Sequence, residues 1–568
     1  MRTRWFKAVG MAGVAAITAS AVYAGTASLT SIGVLDANNP ESAVKALAAD
    51  GSCAVGYSKA PSIDGTRIIR QPVFWAPDTG LVQLPNPERN GAGTDTDGEA
   101  RGIVLRPLHE SIGEGIGISG DIGLYFTPTN GTSPAFSTVC WQYYKAKRSD
   151  PGNGTGWQTG GAGNSQIPSP LGLYNTSRLA PGDSESWYMV GKRRNSNNGN
   201  FINRANNLRI DGIGLTDYVG LGCTDNAATL SSYAMAVSVA TNRRSVGFDI
   251  GNPTCNTTAY RALYFPTVNA AGQAIPGGSG IFSQGLGISS NGTWLCGVDG
   301  TAFAGTHSNT APNMVATAGN AFVWKVGDAA MTLLPNPPDT VVSYAIAIND
   351  FGTTGGYASD GTTERAVIWD KSGIWDTSGE PKLLTDLLTA FGVDVSAWTH
   401  LSRVTSISDA GKTVAGWGVW AADGSIRGFV ATSPLALGAC CKRTGYGTGT
   451  CSLMTPTQCQ DSGGTYLGDD TFCGGGNANC GDFCGPPWPD SDLDGDVDGN
   501  DFGYFQRCYT GDDVTALSTG CKCMDKFGVG GSGADTFVNQ ADYAAFEKCI
   551  SGPNIPFNLA SPPAGCLP

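Results

Sequence analysis

The chain has 568 residues, enough for several folding units, with 81 glycines, 15% charged residues and a net charge of −13. So little charge and so much glycine exclude a coiled coil or long-helix protein, while 41% hydrophobic residues, with 13 Trp, 18 Tyr and 21 Phe, exclude a disordered chain. From Gly438 to Pro568 stand 16 acids against 6 bases, and the absence of a basic stripe argues against a nucleic-acid partner.

Residues 1–24 carry Arg2, Arg4 and Lys7, an apolar stretch from Ala8 to Ala19 and then Val22-Tyr-Ala24, the pattern of a cleaved secretory signal peptide. No later segment is long and apolar enough to span a bilayer, so a secreted, extracellular, periplasmic or cell-surface location is expected. In an exported chain the 17 cysteines read as disulfides. Twelve lie after Ala439. Cys53, Cys140, Cys223, Cys255 and Cys296 are odd in number, which leaves one free or paired elsewhere, with Cys223 to Cys255 the expected bridge.

Between residues 25 and 434 a phrase recurs: a small and an aliphatic residue, a turn with glycine, then a second glycine followed by an aromatic or aliphatic residue. Its copies are Ala46 to Tyr57, Gly287 to Val298, Ala347 to Tyr357 and Ser406 to Trp417, with a fainter one from Val237 through Gly247-Phe248. Each reads as strand, tight turn, strand, and is followed by a further strand ending Phe74-Trp75, Val323-Trp324, Ile368-Trp369 or Phe429-Val430. Two units close on an identical Leu-Pro-Asn-Pro, at 84–87 and 334–337. Gly292, Gly352 and Gly411 are spaced by 60 and 59 residues, the length of a four-stranded blade with long loops, and about 400 residues hold about seven such units. The expectation is a mainly β fold, a β-propeller of about seven blades, closed by pairing of residues near Ser28 to Val34 with the unit containing Gly428 to Ala431. Trp75, Trp324 and Trp369 are expected to pack between blades.

These phrases resemble the HAF-type extracellular repeats, whose units read A-I-N-x-x-G-x-x-x-G-Y followed by A-F-x-W. The resemblance implies a propeller, and no enzymatic role follows from the repeat itself.

Residues 435–483 form a cysteine-rich segment with Cys440, Cys441, Cys451, Cys459, Cys473 and Cys480. It has no CxxC and no histidine, so a disulfide-stapled module is expected rather than a zinc site. Its run from Gly438-Ala-Cys-Cys to Gly463-Gly-Thr-Tyr-Leu-Gly resembles a small module of planctomycete-type secreted proteins.

Asp490-Ser-Asp492-Leu-Asp494-Gly495-Asp496-Val497-Asp498-Gly-Asn-Asp501 places carboxylates at positions 1, 3, 5, 9 and 12 of a loop, glycine at 6 and an apolar residue at 8. Ca2+ takes six to eight oxygens on a loop able to wrap around it, which this spacing supplies. Asp501 to Gly511 is echoed by Asp542 to Gly552, and Phe502 and Phe505, like Tyr543 and Phe546, lie on one helical face where they can meet a partner helix.

Two loop-helix units without entering helices resemble a dockerin, the duplicated F-hand module that binds cohesins in polysaccharide-degrading assemblies; the match covers residues 484–552, within a tail of 484–568. Carried over, Asp490, Asp492, Asp494, Asp498 and Asp501 supply side-chain calcium ligands and Asp496 a backbone carbonyl. In the second loop, counting back from Asp542 puts Asn539 and Asp535 at positions 9 and 5, but Gly531 and Gly533 at 1 and 3. The positions of the recognition pair hold Gly499-Asn500 and Gln540-Ala541 in place of Ser-Thr. A cohesin-like partner is what the resemblance implies.

Catalytic patterns are missing: His109, His307 and His400 stand in no HExxH, no GxSxG occurs, and the two GxGxxG matches, from Gly115 and from Gly528, lie in no βαβ setting. The reading favoured is an exported non-catalytic binding protein, for an extracellular protein or polysaccharide, with a calcium-stabilised C-terminal module. The rival is a propeller enzyme acting on polysaccharide, because two carboxylates at a set separation suffice for a glycosidase.

Overall fold

The computed structural model describes residues 26–566 except 63–64, 66, 86–97, 110–112, 123–139, 148, 154–157, 160–187, 198–199, 210–214, 218–231, 239–243, 251–259, 268–269, 271, 306–314, 371, 377, 436–437, 446–447, 469–486, 493, 512–516, 518–520, 527–535 and 559–560. Residues 1–24, read as a signal peptide, and Cys223, Cys255, His307, Cys473, Cys480, Cys484 and Asp535 lie outside the described residues.

Among the described residues up to 434, strands come in seven consecutive groups, the blades of a propeller. The first holds Ser42–Leu47, Ala54–Pro61, Ile68–Ala76 and Gly80–Gln83; the second Gly98–His109, Gly113–Ile122, Cys140–Lys147 and Gln158–Thr159; the third Tyr188–Asn197, Asn200–Arg209 and Leu215–Asp217. The fourth holds Ser232–Val237, Ser245–Ile250, Tyr260–Phe265 and Gln273–Ala274; the fifth Phe282–Ile288, Trp294–Ala304, Val315–Lys325 and Thr332–Leu333; the sixth Val342–Ile348, Thr354–Ser359, Glu364–Trp369 and Pro381–Leu383. The seventh is assembled from both ends of the repeat region: Trp398–Ile407, Thr413–Trp420 and Ile426–Thr432 are completed by Ser28–Ser31, with Ser28 opposite Thr432 and Ser31 opposite Phe429. Closure therefore forms where the sequence placed it, and it removes an open sheet edge.

The recurring phrase has a steric cause. In the first, fourth, fifth, sixth and seventh blades the leading strand carries a bulge at one place, around Lys45, Met235, Leu286, Ile346 and Thr405. The bulge turns a backbone carbonyl onto the next strand. At Gly56, Gly297, Gly356 and Gly416 a Cβ would fall inside the carbonyl oxygens of Ala43, Gln284, Tyr344 and Arg403. Only glycine fits there. The turn glycines Gly51, Gly292, Gly352 and Gly411 have φ of 76°, 72°, 82° and 77°, the left-handed region.

Neighbouring blades are stitched by the same bond. The Ala321 amide donates to the Ser343 hydroxyl at 2.8 Å, and across the closure the Gly428 amide donates to Ser42 at 3.1 Å. Trp75, Trp324 and Trp369 are buried, each packed on residues of a neighbouring blade, and the Trp369 indole donates to the Pro335 carbonyl at 2.9 Å. This bond, with buried Leu334, accounts for the Leu-Pro-Asn-Pro at 334–337: its leucine is buried in the blade and its backbone receives the tryptophan of the next, and Leu84 is buried in the same way.

One element departs from the all-strand expectation for the repeat. Leu384–Ala390 is a short helix whose Leu384, Leu387 and Leu388 are buried, an i, i+3, i+4 signal that was open to reading. Cys296 is free and buried, and Cys53 is buried.

Beyond residue 434, Gly438–Gly445, Thr448–Met454 and Thr465–Tyr466 form a small sheet, with Cys440 bonded to Cys459. Cys441, Cys451 and Cys523 are also in disulfides. Among its described residues the tail has two helices, Gly499–Cys508 and Gln540–Lys548, and a 3₁₀ turn, Cys521–Met524. No helix among the described residues is long and apolar enough to cross a membrane.

Candidate metal centre

The first acidic loop is shaped by its own backbone before any ion is considered. Gly495, at φ 89°, makes the sharp turn, and Asp498 caps the following helix by accepting from the Asn500 amide at 2.8 Å. Asp501 closes the loop: one carboxylate oxygen accepts the Ser491 amide at 2.6 Å and the other the Asp498 amide at 2.9 Å. Asp490, Asp492 and Asp494 each bring a carboxylate oxygen within 4.8 Å of one another, and so do Asp496, Asp498 and Asp501. All six predicted residues are thus gathered in two adjoining groups that could hold a metal ion. Asp490, Asp496 and Asp501 are buried, while Asp492 and Asp494 are exposed. Asp492, though exposed as a whole, is pushed above the ordinary carboxylate range by partial desolvation, then by the carboxylates of Asp501 and Asp494. Asp496 is pushed the same way by burial, against a bond from the Asn554 backbone and with help from Asp494, Asp498 and Asp501. Desolvation and neighbouring carboxylates both disfavour the charged form.

The second half repeats the first with an approximate two-fold relation. Asp542 accepts the Lys526 amide at 2.5 Å and the Asn539 amide at 2.9 Å, as Asp501 does with Ser491 and Asp498. Asn539 caps its helix through the Ala541 amide at 2.8 Å. By this correspondence Asp525 stands where Asp490 does, so the second loop is entered at Asp525 and is longer than the twelve residues counted back to Gly531. Asp525 is buried and accepts the Thr536 amide at 2.8 Å. A fixed loop length hid this residue; its position directly after the Cys521–Met524 turn was the available signal.

Each loop is braced by the other half. The Val497 amide donates to the Ser551 hydroxyl at 2.9 Å and its carbonyl accepts the Ser551 and Gly552 amides at 3.0 and 3.1 Å. The Val538 amide donates to the Thr510 hydroxyl at 3.0 Å and its carbonyl accepts the Thr510 and Gly511 amides at 2.9 and 3.2 Å. Phe502 and Phe505 meet Tyr543 and Phe546, with ring centroids 5.4–6.0 Å apart. Cys508–Cys521 ties the first helix to the turn before Asp525, and Cys549–Cys566 ties the second to a segment whose Gly565 carbonyl accepts the Trp488 indole at 2.9 Å, two residues before Asp490.

A second polar cluster lies in the propeller. Glu99, 1% exposed, takes Lys45 at 3.6 Å, Arg70 at 3.4 Å and Arg101, and Lys45 and Arg70 also face the Tyr57 ring. Lys45 and Arg101 are the bulge residues of the first two blades, whereas Leu286 and Ile346 occupy that place in the fifth and sixth. Burial alone would raise the Glu99 carboxyl; Arg101, then Lys45 and Arg70, outweigh it and hold Glu99 below its ordinary range. Nearby, Arg403 is paired with Glu364 at 2.5 Å and lies 4.2 Å from the Tyr357 ring centre. His400 lies on the strand Trp398–Ile407.

No protein-family model and no curated protein matches this chain. Among solved structures it is similar to the polysaccharide lyase Uly1, at 10% identity and a TM-score of 0.37 over 67% of this chain and 88% of that one. It is also similar to the Dos1 propeller, at 9% identity and a TM-score of 0.34 over 72% and 96%. The β-propeller domain of the Trilobed protease from Pyrococcus furiosus matches at 8% identity and a TM-score of 0.29 over 61% and 96%.

Proposed function

We propose that the chain is an exported, non-catalytic binding protein: a signal peptide at 1–24, a propeller of HAF-like repeats at 25–434, a disulfide module at 435–483 and a dockerin-like, calcium-stabilised module at 484–568. The observation that carries the calcium assignment is the gathering of six carboxylates, three of them buried, on a loop with glycine at its turn. Like charges this close disfavour a compact loop unless a cation offsets them, and an all-oxygen donor set suits calcium. The disulfides suit an oxidising compartment. The propeller supplies the surface for an extracellular protein or polysaccharide. The tail is the attachment module; its Gly499-Asn500 and Gln540-Ala541 would make any cohesin-like partner one that reads residues other than Ser-Thr.

Calorimetric titration of the chelator-treated full chain with calcium should show one clear site of about 10⁻⁴ to 10⁻³ M, abolished by Asp494→Ala. No heat at millimolar calcium would overturn the assignment. A glycan array with a reducing-sugar assay tests the binding role, and turnover would replace it with polysaccharide degradation.

A further inference from the structure

We infer that Asp496 binds the ion through its carboxylate, not through its backbone carbonyl alone; this deepens the calcium reading and rests on it. A residue at the seventh loop position that serves by its carbonyl has no need of an acidic side chain. Here the side chain is 5% exposed and one of its oxygens, Oδ1, is buried with no hydrogen-bond partner among the described residues. A buried carboxylate oxygen without a partner is unfavourable unless something else completes it. A carboxylate oxygen of Asp496 lies within 4.8 Å of oxygens of Asp498 and Asp501, so the group is aimed into the cluster rather than away from it.

The C-terminal segment holds it there. Asn554 gives its backbone amide to Asp496 and adopts φ 57°, in the left-handed region, where a non-glycine residue is disfavoured unless its surroundings hold it. The Phe557 amide donates to the Gly495 carbonyl at 2.8 Å, and Cys549–Cys566 fixes the segment's ends. The segment thus fixes the side chain facing Asp498 and Asp501. A cation placed between these three carboxylates would satisfy the buried oxygen.

The test uses the full chain and terbium, whose luminescence lifetimes in H2O and D2O count the waters left on the bound ion. Asp496→Ala should keep a terbium signal with about one more water per ion and weaken calcium about tenfold or more, since one charged ligand is exchanged for solvent. Asp496→Asn keeps the shape and one oxygen and should weaken calcium several-fold without adding a water. If Asp496→Ala changes neither affinity nor water count while Asp494→Ala abolishes binding, Asp496 is no side-chain ligand and the loop assignment survives. Should neither ion bind the native chain, both readings fall. If Asp496→Ala does not fold, Asp496→Asn decides: unchanged affinity in a folded protein overturns the inference.

Discussion

In the propeller the largest buried side chains are aromatic, Trp369, Tyr260, Tyr344, Phe74 and Phe322 among them, and buried Cys296 is free. In the tail the buried cluster is ten residues, and three of them, Cys508, Cys549 and Cys566, are tied in disulfides. The propeller is large enough to be held by apolar burial and by blade-to-blade repetition; the tail is small, places six carboxylates on one loop, and takes up cross-links to compensate. Electrostatics divides the two regions in the same way. One buried carboxylate of the propeller, Glu99, is neutralised by cationic side chains of the chain itself, whereas buried carboxylates of the first tail loop crowd one another.

The largest effect is expected where that neutralisation is removed. Glu99→Gln strands Lys45 and Arg101 in the interior and should cost about 3–5 kcal/mol, read from denaturant unfolding of the propeller. Because Glu99 is held below its ordinary range, its contribution is present above the unfolded carboxyl pKa and lost as pH falls through the lowered one. The gap between native and variant should therefore close in acid; a gap independent of pH would show that Glu99 acts by shape alone.

Gly356→Ala comes next. Its Cβ would meet the Tyr344 carbonyl at the bulge, and relief requires the sixth blade to open, a loss of about 3 kcal/mol. Gly392→Ala is the control, with open space around the new methyl and only φ 79° to strain it, at about 1–2 kcal/mol. Equal losses would mean that the bulge does not dictate the repeat.

Removing Cys508–Cys521 as a double serine variant should lower the tail's unfolding free energy by about 3 kcal/mol and leave the propeller's transition in place, as two calorimetric transitions would display. A shift in both would show that the regions unfold together.

The smallest and most diagnostic effect is the pH response of the metal-free tail. Asp492 and Asp496 are raised above their unfolded values, so their protonated forms stabilise the fold; that stabilisation is present below the unfolded pKa and lost as pH rises through the raised ones. With chelator, the tail should become more stable as pH falls through the carboxylate range; with millimolar calcium the trend should reverse, because protons then compete with the ion. The same trend with and without calcium would argue that no ion bears on these groups.

Much of this molecule was open to reading from its residues because the signals are local or repeated. The glycine before Tyr57, Tyr357 and Trp417 marks a close approach that recurs in each copy, and the pairing of Ser28–Ser31 with Ile426–Thr432 follows from the need to close a ring. The Asp490 to Asp501 loop was legible for the same reason, since all its carboxylates lie on one turn of chain. What the residues could not announce are contacts between segments far apart in sequence. Whether bulge positions such as Lys45 and Arg101 gather around one carboxylate, or hold apolar Leu286 and Ile346, depends on which blades adjoin. Asp525 takes its place through the bonds of Asp542 to Lys526 and Asn539, which no fixed spacing encodes. The burial of Asp496 likewise comes from a segment more than fifty residues downstream, where Asn554 and Phe557 bond to the loop. Local sterics and a repeated phrase are written into the chain; desolvation and charge pairing are properties of the assembled neighbourhood, and only the tertiary structure decides them.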